Sequence, residues 1–256
     1  MIARASDIAE WLRRQVTIAG ARGLVVGLTG KLESAVVARL CNAATPGHVI
    51  CAITPCHGDP EGQEDAESTA RAFDLPVVRL DLTRPYDHLA GDLQAIVRQL
   101  RDDDVRGAAA EPDGPGARAP MIDLQPRLRT AALYFLAESL NCLVVGAGTR
   151  SQLTVGAFAR YSDSAVDLLP LGRLLDSEVR ALAIELGVPE SIMESARADR
   201  LGTRHAAEAQ MGFSYADLER YLTAGPEGVS PALAMRIERL VRTSEHTRGP
   251  ALMPDD

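Results

Sequence analysis

Residues 23–35 read Gly23-Leu24-Val25-Val26-Gly27-Leu28-Thr29-Gly30-Lys31-Leu32-Glu33-Ser34-Ala35, an apolar run that passes through glycines into helix-forming sequence. No other feature limits the fold as much. A buried strand that ends in glycines and feeds a helix is how an α/β protein turns backbone N–H groups toward a phosphate. Lys31 is also the only lysine among 27 basic residues; the rest are arginine. Whether it grips a phosphate or takes the place of one decides how the chain is read.

The alternation continues downstream. Residues 49–53, 77–80 and 143–147 read as strands, and residues 34–43, 64–73 and 125–140 as helices. A first helix opens at Asp7 with a capping-box-like Asp7…Glu10 and carries Ile8, Trp11, Leu12 and Val16 at helical spacing. Residues 176–186 form a helix closed by Gly187 with Pro189 beyond, and residues 215–222 and 231–242 are further helices. Residues 189–215 carry no clear pattern. Residues 101–120 hold Asp102-Asp103-Asp104 and then glycine, proline and alanine, which suits a mobile surface insertion. The expected fold class is α/β: a Rossmann-like, mostly parallel sheet flanked by helices, in a single domain over residues 1–256. In such sheets ligands sit beyond the carboxyl ends of the strands, so the ends after Leu28, Ile53 and Ala147 are where a site is expected.

A net charge of −8 argues against a nucleic-acid partner. The start lacks a charged n-region followed by an apolar h-region, and no apolar run approaches membrane-spanning length, so the expected compartment is the cytoplasm with no membrane partner. Cys41, Cys51, Cys56 and Cys142 lack metal-type spacing. Cys41, Cys51 and Cys142 lie in or beside apolar segments and are expected in the core; Cys56-His57 is expected in a loop.

Gly30-Lys31 looks like the end of a Walker A loop, but that pattern needs glycine at 25 and Ser or Thr at 32, where Val25 and Leu32 stand. Nor does G-x-G-x-x-G fit. Thr29-Gly30-Lys31-Leu32-Glu33-Ser34 instead aligns, with three changes, with the Ser-Gly-Gly-x-Asp-Ser loop of ligases that split ATP into AMP and pyrophosphate. Other segments follow in order. Asp123-Leu124-Gln125-Pro126-Arg127-Leu128-Arg129 resembles the Asn-x-Gln-x-Arg-x-Arg helix of the ammonia-dependent NAD+ synthetases, and Gly146-Ala147-Gly148-Thr149-Arg150-Ser151-Gln152 their Gly-Thr-Gly-Asn-Lys-Ser-Glu turn. Phe158-Ala159-Arg160-Tyr161-Ser162-Asp163, Val166-Asp167-Leu168-Leu169-Pro170, Gly212-Phe213-Ser214-Tyr215 and Glu245-His246-Thr247-Arg248 continue the series.

The resemblance implies a homodimeric enzyme that adenylates the carboxylate of a nicotinic acid adenine dinucleotide-type acid with ATP and Mg2+, then lets ammonia displace AMP. It implies that Thr29, Gly30, Lys31, Leu32, Glu33 and Ser34 form the pyrophosphate loop, with Thr149, Arg150 and Gln152 on the nucleotide side. It places Arg127, Arg129, Arg160, Tyr161, Asp163 and His246 on the dinucleotide side, and Glu33, more weakly Gln152, at Mg2+. Because it uses nearly the whole chain, no glutaminase domain is expected, and ammonia is free or delivered by a separate glutaminase. No catalytic side chain is assigned.

The departures fall on the ATP side. Lys31 replaces a glycine, Glu33 an aspartate, Gln152 a glutamate, Ala147 a threonine and Arg150 a lysine, and Asp176 stands where the family carries lysine. The Mg2+ pair thus falls to one carboxylate. Lost electrostatic contacts of this kind cost on the order of 10²–10³ in rate each. The expected ligase is therefore weak or shifted to another acid. The competing reading is an inactive dinucleotide-binding or dimerisation module, with the Lys31 ammonium as a plug in the pyrophosphate site. A nucleotide-thiolating enzyme of the same fold fits less well, because it needs reactive cysteines or an RNA-binding surface.

Overall fold

The structure is a computed structural model that describes residues 5–58, 60–102, 115–162, 165–198 and 203–249. Four strands, β1 (Gly23–Gly27), β2 (Val49–Ile53), β3 (Val77–Arg79) and β4 (Cys142–Val145), form a parallel sheet in the order β3-β2-β1-β4. Leu24 of β1 lies opposite Val49 on one side and Leu143 on the other. The chain winds outward from β1 through β2 to β3, then returns to add β4 beside β1. The direction of winding reverses between β1 and β4, and a doubly wound sheet opens a crevice there.

Strand geometry sorts the β1 side chains. Leu24 and Val26 face a cluster formed with α1 (Ala5–Ala19), α2 (Leu32–Ala44), α7 (Asp176–Glu185) and α8 (Glu190–Ala198). Val25, between them, faces Ala137 and Leu133 of α5 (Pro115–Leu140). Successive residues of a strand point to opposite faces, so an uninterrupted apolar run marks a strand covered on both. A separate cluster of Val155, Met211, Phe213, Tyr215, Leu218 and Ile237 joins α6 (Arg150–Val155), α9 (Thr203–Met211), α10 (Tyr215–Ala224) and α11 (Pro231–Thr243) into a C-terminal layer.

Several elements differ from the sequence expectations. Helix α4 (Thr83–Asp102) stands where none was expected, although Asp81 Oδ1 accepts from Thr83 N at 2.8 Å and so opens it. Helix α5 begins at Pro115, ten residues ahead of the expected start, and carries Pro120 and Pro126 inside it; proline was read as punctuation. The segment taken as an insertion is thus helical at Arg101, Asp102 and from Pro115 onward, and residues 103–114 lie outside the described ones. The unassigned stretch after Pro189 contains α8 and α9. Cys56 lies in the loop after β2, as expected, and is buried there, its Sγ 3.9 Å from the Leu82 carbonyl. Among the described residues no helix is long and apolar enough to cross a membrane.

Candidate active site

The phosphate loop leaves β1 at Leu28, whose N–H still donates to the Ala52 carbonyl at 2.9 Å. The chain then turns at Gly30, with φ of +77°. A Cβ at Gly30 would lie 2.2 Å from the Gly62 carbonyl oxygen at the start of α3 (Pro60–Ala72), so this position needs glycine twice over. Lys31 has no such need. Its φ and ψ of −82° and 151° are ordinary extended values, and it caps α2 with an exposed side chain. The lysine therefore sits in the loop at no conformational cost.

Hydroxyls tie the loop together. The buried Ser34 Oγ accepts from Thr29 N at 3.3 Å and donates to the Lys31 carbonyl at 2.8 Å, while Lys31 N donates to Thr29 Oγ1 at 3.4 Å. Leu32 is buried in the core and anchors the first turn of α2. Glu33, half-buried, follows it.

Two adjoining clefts open over this loop. The larger, about 440 Å³, lies at the reversal between β1 and β4. Its walls include Thr29 and Ser34 of the loop, Thr54 and Cys56 after β2, Gln125 and Arg129 of α5, and Gly146–Gly148 after β4. Arg129 is held there by its Nε, which donates to the Thr54 carbonyl at 3.3 Å. The smaller cleft, about 160 Å³, is walled by Asp176 and Arg180 of α7, Ser195 of α8, Arg204 of α9 and Tyr215. Lys31, Glu33, Gln152 and Ala157 border both clefts and mark their junction. Among the described residues the Lys31 side chain has no hydrogen bond or ion pair.

Thr149 links the turn after β4 to α7. As the cap of α6 its Oγ1 accepts from Gln152 N at 3.4 Å, and Gln152 Oε1 accepts from Thr149 N at 3.2 Å. The same hydroxyl donates to Asp176 Oδ1 at 2.8 Å. Burial pushes the Asp176 carboxyl up to about 6, the Thr149 hydrogen bond pulls it back, and the charge of Glu33 raises it further. Tyr215 is pushed up by burial and by the charges of Asp176 and Glu33.

The remaining expected positions lie elsewhere. Arg150 is exposed and borders neither cleft. Arg127 Nε donates to the Arg160 carbonyl at 3.0 Å and pairs with Asp123, while the Arg160 guanidinium lies 4.7 Å from the centroid of the exposed Tyr161 ring. His246 is exposed on α12 (Glu245–Arg248), its Nδ1 3.0 Å from the Thr243 carbonyl. Asp163 lies outside the described residues. Sequence reasoning treated Asp176 only as a reversed charge and missed its approach to Glu33; it also missed Arg180 and Arg204. Spacing gave one signal, Asp176 and Arg180 being one turn apart on α7.

Fold and clefts together define an α/β protein of nucleotide-binding fold with the Thr29–Ser34 loop at the reversal point of a parallel sheet. The family model described as NAD synthase matches residues 4–251. The chain belongs to the NAD synthase family. It is 38% identical to the NH(3)-dependent NAD(+) synthetase of Carboxydothermus hydrogenoformans over 245 residues, 96% of this chain and 94% of the relative. Among solved structures, an NMN synthetase from Francisella tularensis superposes with a TM-score of 0.81 at 25% identity, covering 98% of this chain and 97% of that one. The NH3-dependent NAD synthetase from Campylobacter jejuni, with a TM-score of 0.75 at 20% identity and coverage of 98% and 97%, shares the fold.

Proposed function

We propose that this chain is an ATP-dependent amide ligase that adenylates the carboxylate of a nicotinic acid adenine dinucleotide-type acid and amidates it with ammonia. The observation that carries this reading is the closed loop Thr29–Ser34, set at the mouth of the larger cleft with the Gly146–Gly148 turn facing it. A carboxylate is a poor electrophile. Its oxygen attacks the α-phosphorus of ATP and pyrophosphate leaves; ammonia then attacks the acyl carbon and AMP leaves with the bonding electron pair. The loop amides and the Lys31 ammonium receive the pyrophosphate charge, and Arg129 and Gln125 line the nucleotide's path.

The oxygen donors at the junction fit Mg2+. Glu33 would offer a carboxylate beside the loop, with substrate phosphate and water filling positions the protein leaves open. Bound there, Mg2+ supplies neutralisation of the departing pyrophosphate. The test is formation of amide, AMP and pyrophosphate from ATP, Mg2+ and ammonia, with the dinucleotide acid and the corresponding mononucleotide acid assayed in parallel. Amide from either acid in step with AMP supports the reading and assigns the substrate. Absence of amide and of pyrophosphate with both refutes it and leaves the inactive module.

The same reading makes the protein a homodimer. Helix α4 leaves Leu93, Ile96, Val97 and Leu100 between 44% and 51% exposed, and Phe135 of α5 is 73% exposed. An apolar helix face of this kind suits an interface between copies. Sedimentation equilibrium should give the dimer mass, and Ile96→Glu with Leu100→Glu should shift it to the monomer. A monomeric parent contradicts this part.

A further inference from the structure

We propose that Asp176 serves as the second carboxylate for Mg2+ at the phosphate loop, a task Gln152 does not perform in this chain. The inference deepens the ligase reading and rests on it for the identity of the ion.

Gln152 is engaged elsewhere. Its Oε1 accepts from Thr149 N at 3.2 Å within the cap of α6, and an amide brings no charge to a cation. Asp176 is built for the task. It stands at the first position of α7 and borders the smaller cleft together with Lys31, Glu33 and Gln152. Thr149 Oγ1 fixes its Oδ1 at 2.8 Å, and Oδ2 has no hydrogen bond or ion pair among the described residues. Glu33, in the first turn of α2, lines the same cleft as Asp176 and Tyr215. Two carboxylates from elements far apart in sequence thus face one pocket that joins the polyphosphate loop.

Mg2+ in nucleotide sites takes one or two carboxylates and fills the rest of its shell with phosphate oxygens and water. The cations of the pocket sort accordingly. Lys31 stands at the junction, where the polyphosphate passes, and Arg180 and Arg204 stand deeper. The positive charge and the second carboxylate have both moved from their family positions, so the site keeps its balance with different residues.

The test uses Mn2+ as a paramagnetic probe, its free concentration read by electron paramagnetic resonance with ATP and the intact protein. The parent should bind Mn2+ in the presence of ATP. Asp176→Asn should weaken that binding about tenfold or more, since loss of even an outer-shell partner costs about 10–100-fold in metal affinity. Asn keeps an oxygen for the Thr149 hydrogen bond, so the variant stays folded, which a thermal melt verifies. The double variant Asp176→Asn, Gln152→Glu should regain binding, because Glu can keep one oxygen on Thr149 N and offer the other, with its charge, to the cation. Equal Mn2+ binding by parent and Asp176→Asn, or no binding by the parent, overturns the proposal. The amidation assay separates the two claims: amide formed with metal binding indifferent to Asp176 keeps the ligase and removes this inference. Metal binding lost in Asp176→Asn without amide from either acid does the reverse.

Discussion

Alanine at Gly30 should destabilise the protein by about 2–5 kcal/mol and abolish nucleotide binding. The left-handed φ of +77° costs a residue with a Cβ roughly 1–2 kcal/mol. The Cβ would also meet the Gly62 carbonyl oxygen at 2.2 Å, a backbone atom that cannot swing aside, and forced repacking adds about 1–3 kcal/mol. Relief requires the loop to move from α3, which carries the amides of residues 30 and 31 out of register with a phosphate. Gly20 is the control. Its φ is +61°, but a Cβ there would meet nothing within 4 Å. Gly20→Ala should cost about 1 kcal/mol by conformation alone and leave nucleotide binding intact. Urea unfolding of both variants and calorimetric titration with ATP measure the difference. Equal costs would mean that the loop does not pack on Gly62.

Asp176→Asn should stabilise the metal-free protein. The carboxyl titrates near 6 in the fold, against the ordinary 3.8, because burial and Glu33 disfavour its charge. A raised carboxyl contributes stability that is present below the unfolded value and is lost as pH rises through the folded one. Ionisation of the parent therefore costs about 3 kcal/mol at pH 8, from roughly two pH units at about 1.4 kcal/mol each. Asparagine avoids that cost. The gain should be about 3 kcal/mol at pH 8, about half that near pH 5, and close to zero below pH 4. Urea unfolding in EDTA across that range measures it. A gain that does not change with pH would show that Asp176 is not held in a charge-disfavouring place.

Sequence legibility followed how far apart the interacting residues are. Residues 24–28 and 49–53 were readable because both faces of those strands are covered, which leaves an uninterrupted apolar run between turn signals. The loop was readable because its hydrogen bonds join Thr29, Lys31 and Ser34, neighbours in the chain. Helix α4 was missed although Tyr86, Ala90, Leu93 and Val97 recur at helical spacing. Its apolar stripe is clear, buried at Tyr86 and Ala90 and exposed at Leu93 and Val97, so the helix was there to be read. Asp176 was misjudged for a different reason. By resemblance it reads as a lost lysine; in space it bonds to Thr149 and lines one cleft with Glu33, from two other elements. A motif shows which residues are present, but not which of them the fold brings to one cleft.

The same applies to Lys31. Its backbone is unstrained and its ammonium, without a protein partner among the described residues, stands at the junction of the two clefts. Those are properties of a grip that waits for an anion. The direct measurement is calorimetric affinity for ATP with Mg2+ in the parent and in Lys31→Gly. The glycine suits the loop, so the fold is unchanged and only the charge is removed. A charge-assisted hydrogen bond contributes about 1.5–3 kcal/mol, so affinity should fall about tenfold or more. Affinity that rises in Lys31→Gly would contradict the account and show the lysine to be a plug in the pyrophosphate site.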